Sequence, residues 1–474
     1  MAEHHRLGHR TRPTRSPRWR ATTALLSAFA LLASACGGED TDDAPDDLDD
    51  EVTDEGEVDD TDAADEPDED EDVEEEVDAA ADECDPADVN LNVTYPGRLG
   101  PTLPGAAEAL QEQYPDLEIE LSDSATTYTD NLQQVVADES AGMVPDVVMA
   151  GTGQVAFYVD ALEARELGED VVPDTYNRDY LIAGEVDGAL HAVPIQVSMP
   201  IMVWNQEIFD AAGLDPDTAP ETYSEVLEFA ETIEAEVPNV SPAFYPSTIV
   251  YDWFFQNMLL SAGGEMTDDA GDPAFASPEG VTALEPWVEL NARDLQAPAS
   301  GLEGIEIFAA GEIGMVLGTN AVLAQMDAGI GDRFEWGVAP APVADDGERR
   351  FTAGGNALMI LAEDPCEQRF AEEFIATALE PGAQAMVAEE TGYIPVDTQA
   401  VEMLEDFYAE NPQYAVPVEY DGDLEAWISF RGERSFEASE EFRTLLESVA
   451  AGADPAEALE EAEASVSGIL GSGG

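Results

Sequence analysis

The chain has 474 residues, with 105 Asp and Glu against 17 basic residues, and a formal net charge of −88. All of the basic residues are arginine, and beyond Asp85 they form no basic patch. Without such a patch to neutralise a run of phosphates, the composition argues against nucleic acid as a partner. Beyond Cys36 the chain carries a single histidine, His191, and two cysteines, too few for a zinc site.

The first 35 residues read as an export signal. Arg6, Arg10, Arg12, Arg15, Arg18 and Arg20 precede an apolar run from Ala21 to Leu32, too short to span a bilayer as a mature helix. Ala33, Ser34 and Ala35 then lead into Cys36, Gly37 and Gly38. This layout resembles a bacterial lipobox, although Ala33 stands where leucine is usual. It implies acylation of Cys36, removal of residues 1–35, and a protein held on the outer face of the cytoplasmic membrane. No paired arginines support a twin-arginine route.

Residues 36–85 form an acidic tether. Glu39–Asp85 is almost entirely Asp, Glu, Ala, Val and Thr; its charges repel, and it cannot bury enough apolar surface to become ordered. A chain of that length has a reach of about 40 Å, lengthened by repulsion. Acidity without lysine continues to the C-terminus, as suits a protein adapted to high external salt, where screening removes self-repulsion. Cys84 and Cys366 remain. In an oxidising exterior the two predict a disulfide closing a loop of about 280 residues.

The remaining chain is long enough for two lobes. Val89–Tyr95 reads as a strand, Pro104–Tyr114 as a helix, Leu117–Leu121 as a strand, Tyr128–Ala141 as a helix, and Pro145–Gly151 as a short buried strand. This order predicts an α/β fold with a parallel or mixed sheet covered by helices on both faces. Ligands in such sheets sit at the carboxyl ends of the strands. Later helices are expected at Glu221–Glu236, Asp252–Ala262, Val281–Arg293, Glu367–Leu379, Pro381–Glu390, Ser435–Ala450 and Pro455–Leu470. Strands are expected at Ala189–Val193, Ile201–Trp204, Ile313–Leu317 and Asn356–Leu361.

Four blocks then carry a resemblance. Gly188–Ala230 contains "AVPIQVSMPIMVWNQEIFDAAGLDPDTAPETY"; Phe308–Leu323 is "FAAGEIGMVLGTNAVL"; Ala353–Ile360 is "AGGNALMI"; Thr391–Val396 is "TGYIPV". In this order they resemble the extracellular solute-binding proteins of ABC importers, of the sugar and glycerol-3-phosphate type. His191, Trp204, Tyr223 and Gly314 depart from the family's usual residues. The resemblance implies a two-lobe periplasmic-binding-protein-like fold, each lobe a mixed sheet flanked by helices, with extended crossings between them. Pro194–Pro200, Ala339–Arg350 and the segment after Tyr393–Pro395 suit those crossings. The implied partition is 86–197 and 346–396 in the N-lobe, and 198–345 and 397–474 in the C-lobe. Cys84 and Cys366 would then join within one lobe.

Sugar-type ligands need flat aromatic faces and hydrogen-bonding groups. Loop positions supply both: Tyr95, Thr127, Tyr128, Gly151, Thr152, Gln196, Ser198, Tyr251, Trp253, Thr319, Asn320, Gly354, Gly355, Asn356 and Tyr393. By resemblance to relatives that bind glycerol-3-phosphate, Tyr128, Ser198, Gly354 or Gly355, and Tyr393 contact ligand. Arg431 and Arg434 stand where such relatives carry an arginine. Either one facing the cleft implies an anionic ligand; neither facing it implies a neutral sugar. Phe244, Phe254, Phe255, Phe374 and Met315 are expected in the core.

The function implied is capture of a sugar, polyol or glycerol phosphate by a monomeric, lipid-anchored protein, and delivery to a membrane permease. No cofactor or metal is expected. The alternatives are an adhesin or sensor sharing the fold and, behind these, a glycosidase. No G-x-S-x-G elbow supports an enzyme.

Overall fold

The computed structural model describes residues 84–97, 100–247, 251–268 and 270–471. The export signal, Cys36 and almost all of the acidic tether lie outside these residues. Among the described residues no helix is long and apolar enough to cross a membrane, and no His, Cys, Asp or Glu cluster could hold a metal ion.

The first sheet grows from three parallel strands, β1 (Asn90–Pro96), β2 (Glu118–Ala125) and β3 (Val147–Gly151), with Leu91 opposite Ile119 and Val93 opposite Val147. Helices Leu103–Gln113 and Tyr128–Ser140 connect them, as the β-α-β-α-β reading requires. Thr127 caps the second helix by accepting the Asp130 N–H through its hydroxyl at 3.0 Å. All five residues of β3 are buried. Val147 and Met149 join the main core, while Val148 and Ala150 pack on the opposite face with Leu132, Val135 and Tyr158. A strand buried on both faces reads as a continuous apolar run.

A small hairpin of β4 (Glu185–Val186) and β5 (Ala189–Leu190) leads to β6 (Val193–Ser198) at the edge of this sheet. An edge tolerates Pro194, which cannot donate to a neighbour. The expected single strand Ala189–Val193 is therefore two elements, interrupted at His191, whose Nδ1 lies 2.9 Å from the Ala164 carbonyl.

The second sheet begins at β7 (Pro200–Asn205), one residue after β6 ends. It is completed by β8 (Ser241–Phe244), β9 (Ile313–Thr319) and β10 (Trp336–Pro340), in the order β10-β7-β9-β8. Two-residue strand β11 (Phe351–Thr352) precedes β12 (Gly354–Ile360), which returns to the first sheet antiparallel to β3 and β6, giving the order β2-β1-β3-β12-β6. Finally β13 (Leu424–Glu425) pairs with β11. The result is a two-lobe α/β fold, each lobe built on one sheet.

The first passage between sheets takes one residue, Met199. Ser198 pairs with Gly354 in the first sheet, and Pro200 pairs with Thr319 in the second. Most of the Pro194–Pro200 stretch is thus strand rather than connector. The return path runs from Pro340 to Gly354. The segment after Tyr393 stays on the first sheet longer than expected: Ile394 and Val197 exchange backbone bonds, and the Thr398 N–H reaches the Thr175 carbonyl. Beyond it, Gln413 donates to the Trp336 carbonyl in the second sheet at 3.1 Å. Cys84 and Cys366 form a disulfide with Cα atoms 5.4 Å apart, tying the chain just before β1 to helix Pro365–Ala378.

Candidate functional site

A cavity of about 710 Å³ opens between the lobes, within the ~300–1,000 Å³ range of pockets that enclose small molecules. From the first lobe come Thr126–Thr129 at the start of a helix, Gly151 at the end of β3, and Gly153, Gln154 and Phe157 just beyond it. From the second come Thr319 at the end of β9, helix residues Asp252, Phe254 and Gln256, and the segment Trp427–Phe430 with helix Ser435–Ala450. Strand ends and helix starts thus converge on the opening, as the topology of open sheets demands.

Of the sequence-predicted residues, Thr127, Tyr128, Gly151, Thr319 and Tyr393 line this cavity. A buried polar chain stands behind Tyr128. Asn356 donates from Nδ2 to the Tyr128 hydroxyl (3.1 Å) and to Gln196 Oε1 (2.7 Å). Tyr393 is in hydrogen-bonding contact with Tyr128 and Asn356. Burial pushes the Tyr128 hydroxyl well above its ordinary pKa and also raises that of Tyr393, so both remain neutral donors. Gln196 and Asn356 hold the tyrosine wall without reaching the cavity.

The other predicted positions are displaced from the cavity. Tyr95, read as the last residue of the first strand and expected at the cleft, lies within β1, which runs on to Pro96, and its ring is buried in the core. Tyr251 is buried in helix Tyr251–Ser261 against Trp287. Ser198, Trp253 and Gly354 meet one layer behind the wall; a Cβ on Gly354 would lie 2.7 Å from the Trp253 ring and 2.8 Å from Ser198 Oγ. Gly354, Gly355 and Asn356 are strand residues of β12, and Gly355 takes φ +112° where the Gln196 carbonyl leaves no room for a side chain. Thr152 donates to the Ala353 carbonyl at 3.0 Å. Asn320 is a brace at the passage between sheets: its Oδ1 accepts the Met199 N–H at 2.7 Å and its Nδ2 donates to the Gly392 carbonyl at 2.7 Å.

Neither Arg431 nor Arg434 lines the cavity. Arg431 donates to Asp160 from Nε (2.9 Å) and Nη2 (2.6 Å) and to Asp187 from Nη1 (2.7 Å). The Asp160 hydrogen bond raises its pKa further. Burial works to raise the Asp160 pKa, but the Arg431 bonds and the Gly432 N–H outweigh it and hold the carboxyl below its ordinary value. Asp160 sits on helix Val155–Leu162 of the first lobe, while Arg431 precedes helix Ser435–Ala450 of the second. The ion pair therefore bridges the lobes at the rim. Arg434 donates to Glu437 and to the Ile469 carbonyl.

Several cavity residues carry no sequence prediction. Trp427 lies flat against Gly153, where an added Cβ would stand 2.5 Å from its ring; only glycine admits that approach. Phe157 and Phe436 meet edge-on across the lobes at 6.0 Å. Gln256 fixes the Trp427–Ile428 segment by accepting the Ile428 N–H and donating to its carbonyl, each at 3.0 Å. Phe244 and Phe254, expected in the core, are buried and also form part of the cavity floor, whereas Phe255, Phe374 and Met315 are core only. Trp427 stands four residues before Arg431, an aromatic residue with no local pattern to place it at the cavity.

The sequence profile of bacterial extracellular solute-binding proteins matches residues 105–416. A Brucella abortus binding protein is 22% identical over 346 residues, covering 71% of this chain and 82% of the relative. The sn-glycerol-3-phosphate-binding periplasmic protein UgpB of the same species is 26% identical over 298 residues, 57% of this chain and 64% of that protein. Among solved structures, the cyclic alpha-maltosyl-1,6-maltose binding protein of Arthrobacter globiformis superposes with a TM-score of 0.65 at 25% identity, covering 81% of this chain and 99% of that one. UgpB of Mycobacterium tuberculosis, in complex with glycerophosphocholine, gives a TM-score of 0.70 at 23% identity, covering 81% of this chain and 98% of that one.

Proposed function

This chain belongs to the bacterial extracellular solute-binding protein family, and from that membership we propose that it is the capture component of an ABC importer. A hydroxylated solute of the carbohydrate or glycerol phosphate type enters between the lobes, the lobes close, and the unchanged solute passes to a membrane permease. The observation that carries the reading is the interlobe cavity of about 710 Å³. Its walls supply aromatic faces (Tyr128, Phe157, Tyr393, Trp427) and hydroxyl or amide groups (Thr127, Gln154, Thr319, Ser429). Aromatic faces cover the C–H surfaces of a sugar ring, and the polar groups bind its hydroxyls.

Closure rests on contacts that both lobes make to the solute and to each other. The one-residue passage at Met199, braced by Asn320, and the 341–353 return path serve as the hinge, with the lobe of the first sheet, Ser198 included, moving against the lobe of the second. Acylation at Cys36 holds the protein at the outer membrane face, and the acidic segment 36–85 gives the clamp its reach. Mass spectrometry of the membrane fraction tests the anchor: a lipid adduct on an N-terminal Cys36 is expected, and an unmodified soluble chain excludes it.

A thermal-shift screen of sugars, polyols and glycerol phosphates in high salt tests the capture reading. A true ligand at a hundred times its Kd stabilises the protein by about 2.7 kcal/mol. Conversion of any solute to product would favour an enzyme instead.

A further inference from the structure

We propose that the far end of the second lobe carries a second small-molecule site, built to take the zwitterion of an α-amino acid with an apolar side chain. The site is independent of the solute-capture reading above. A pocket of about 300 Å³ opens there, at the small end of the range for organic ligands. None of its residues lines the interlobe cavity. The two lie at opposite ends of the second sheet: β7 leaves the lobe passage at Pro200 and reaches the pocket at Asn205, about 17 Å farther on.

Arg333 supplies the first anchor. It is exposed, so a solute reaches it. Its Nη1 donates to the Ala309 carbonyl at 2.7 Å and to the Gly329 carbonyl, near the ends of helices Glu303–Ala309 and Leu323–Ile330. These bonds hold the guanidinium and leave its Nε and Nη2 edge without a partner among the described residues. The same edge grips a carboxylate elsewhere in the chain: Arg350 meets Glu425 through Nε at 2.7 Å and Nη2 at 2.9 Å. Every other described arginine except Arg349 has an Asp or Glu within ion-pair distance. In a chain with 105 acids, an arginine fixed by carbonyls and facing a pocket is a fork for a carboxylate from outside.

Asn205 supplies the second anchor. It is only 2% exposed and lines the pocket. Its Oδ1 accepts the Ile208 N–H at 3.1 Å, while its Nδ2 has no hydrogen-bond partner among the described residues. A buried amide donor left unmet costs free energy, and a carboxylate oxygen would satisfy it. Glu207, two residues on in the same wall, is exposed and has no ion pair among the described residues; it suits an ammonium. Ile208, Val237 and Phe334 give the apolar floor on which a side chain packs. A simple anion would be opposed by Glu207 and by the net charge of −88. A zwitterion carries no net charge and uses both signs of the wall.

Ligand-observed NMR titration of the full chain tests this with probes of one shape: L-leucine, isocaproate, which lacks the ammonium, and isoamylamine, which lacks the carboxylate. Wild type is expected to bind L-leucine with a Kd of about 1 mM or tighter, isocaproate about tenfold more weakly, and isoamylamine not measurably. Asn205→Asp keeps the oxygen that caps Ile208 and removes the donor; it should weaken L-leucine binding by about tenfold or more. Arg333→Gln should do the same. Glu207→Gln, at an exposed position, should weaken L-leucine and strengthen isocaproate, a reversal that a change in folding alone does not give. The affinity for an interlobe solute found in the thermal screen should stay the same in all of these variants. No L-leucine binding by wild type at about 10 mM, ten times the expected Kd, overturns the site. Binding that survives both Asn205→Asp and Arg333→Gln puts L-leucine elsewhere and overturns it too. Isocaproate bound as tightly as L-leucine, with no response to Glu207→Gln, overturns the assignment to an amino acid.

Discussion

Arg431→Ala removes the ion pair that joins the lobes at the rim. Its three bonds to Asp160 and Asp187 are 2.6–2.9 Å long. Charge-assisted bonds of this kind contribute about 1.5–3 kcal/mol when buried. Here the Arg431 side chain is 39% exposed and Asp187 78%, so solvent screens the Asp187 arm almost fully. Asp160 is only 14% exposed, and the Gly432 N–H still holds it after truncation. The net loss is about 1–2 kcal/mol. In a clamp, bonds between lobes exist only when it is shut, so the loss falls on the closing equilibrium. Solute affinity should weaken by about 5- to 30-fold. Titration calorimetry at fixed salt, with a sugar identified in the thermal screen, measures it. Arg434→Ala is the comparison, since its bonds to Glu437 and the Ile469 carbonyl lie within the second lobe, and it should leave Kd unchanged. An unchanged Kd in Arg431→Ala, with a lowered thermal midpoint, would show that the ion pair persists in the open form and refute the reasoning.

Acidification should mimic that variant. The Asp160 pKa is lowered from its ordinary value of 3.8, so its contribution is complete above that value and lost as pH falls through the lowered pKa; affinity measured from pH 7 downward should hold until that window. Gly153→Ala places a methyl 2.5 Å from the Trp427 ring and should weaken sugar binding by about tenfold, read by calorimetry, with little change in thermal midpoint. Asn320→Ala leaves the Met199 N–H and the Gly392 carbonyl without their buried partner; at about 1–3 kcal/mol each, denaturant unfolding should show a loss of about 2–6 kcal/mol. Replacing both Cys84 and Cys366 by Ser should cost about 2–5 kcal/mol in the same assay.

Much of the fold was legible because the chain states it locally. Thr127 before Tyr128 and the apolar run Val147–Gly151 are local signals, and the observed elements begin or end within two residues of the readings. Helix Val155–Leu162 was missed because it is short and nearly all apolar, with no polar face to set a helical period. The same limit applied to the cavity. Tyr128 and Tyr393 were found through loop position and family resemblance. Tyr95 and Tyr251 share those outward features, yet their rings turn into the core. A sequence marks where the chain bends but not which face of a residue looks into the gap. Trp427, Glu440 and Arg443 reach the cavity only through long-range placement of the C-terminal segment, held by Gln256 and by β11 pairing with β13. No period or motif in the neighbouring residues encodes that contact.

The distance between the lobes, with and without sugar, tests solute capture most directly. Spin labels at Glu139 in the first lobe and Glu228 in the second, both exposed helix positions, report it by pulsed dipolar spectroscopy. A saturating neutral saccharide should shift the distance distribution to shorter values, and the sugar should be recovered intact after denaturation. A distribution that stays the same while a sugar binds, or a sugar recovered as product, would contradict capture by closure.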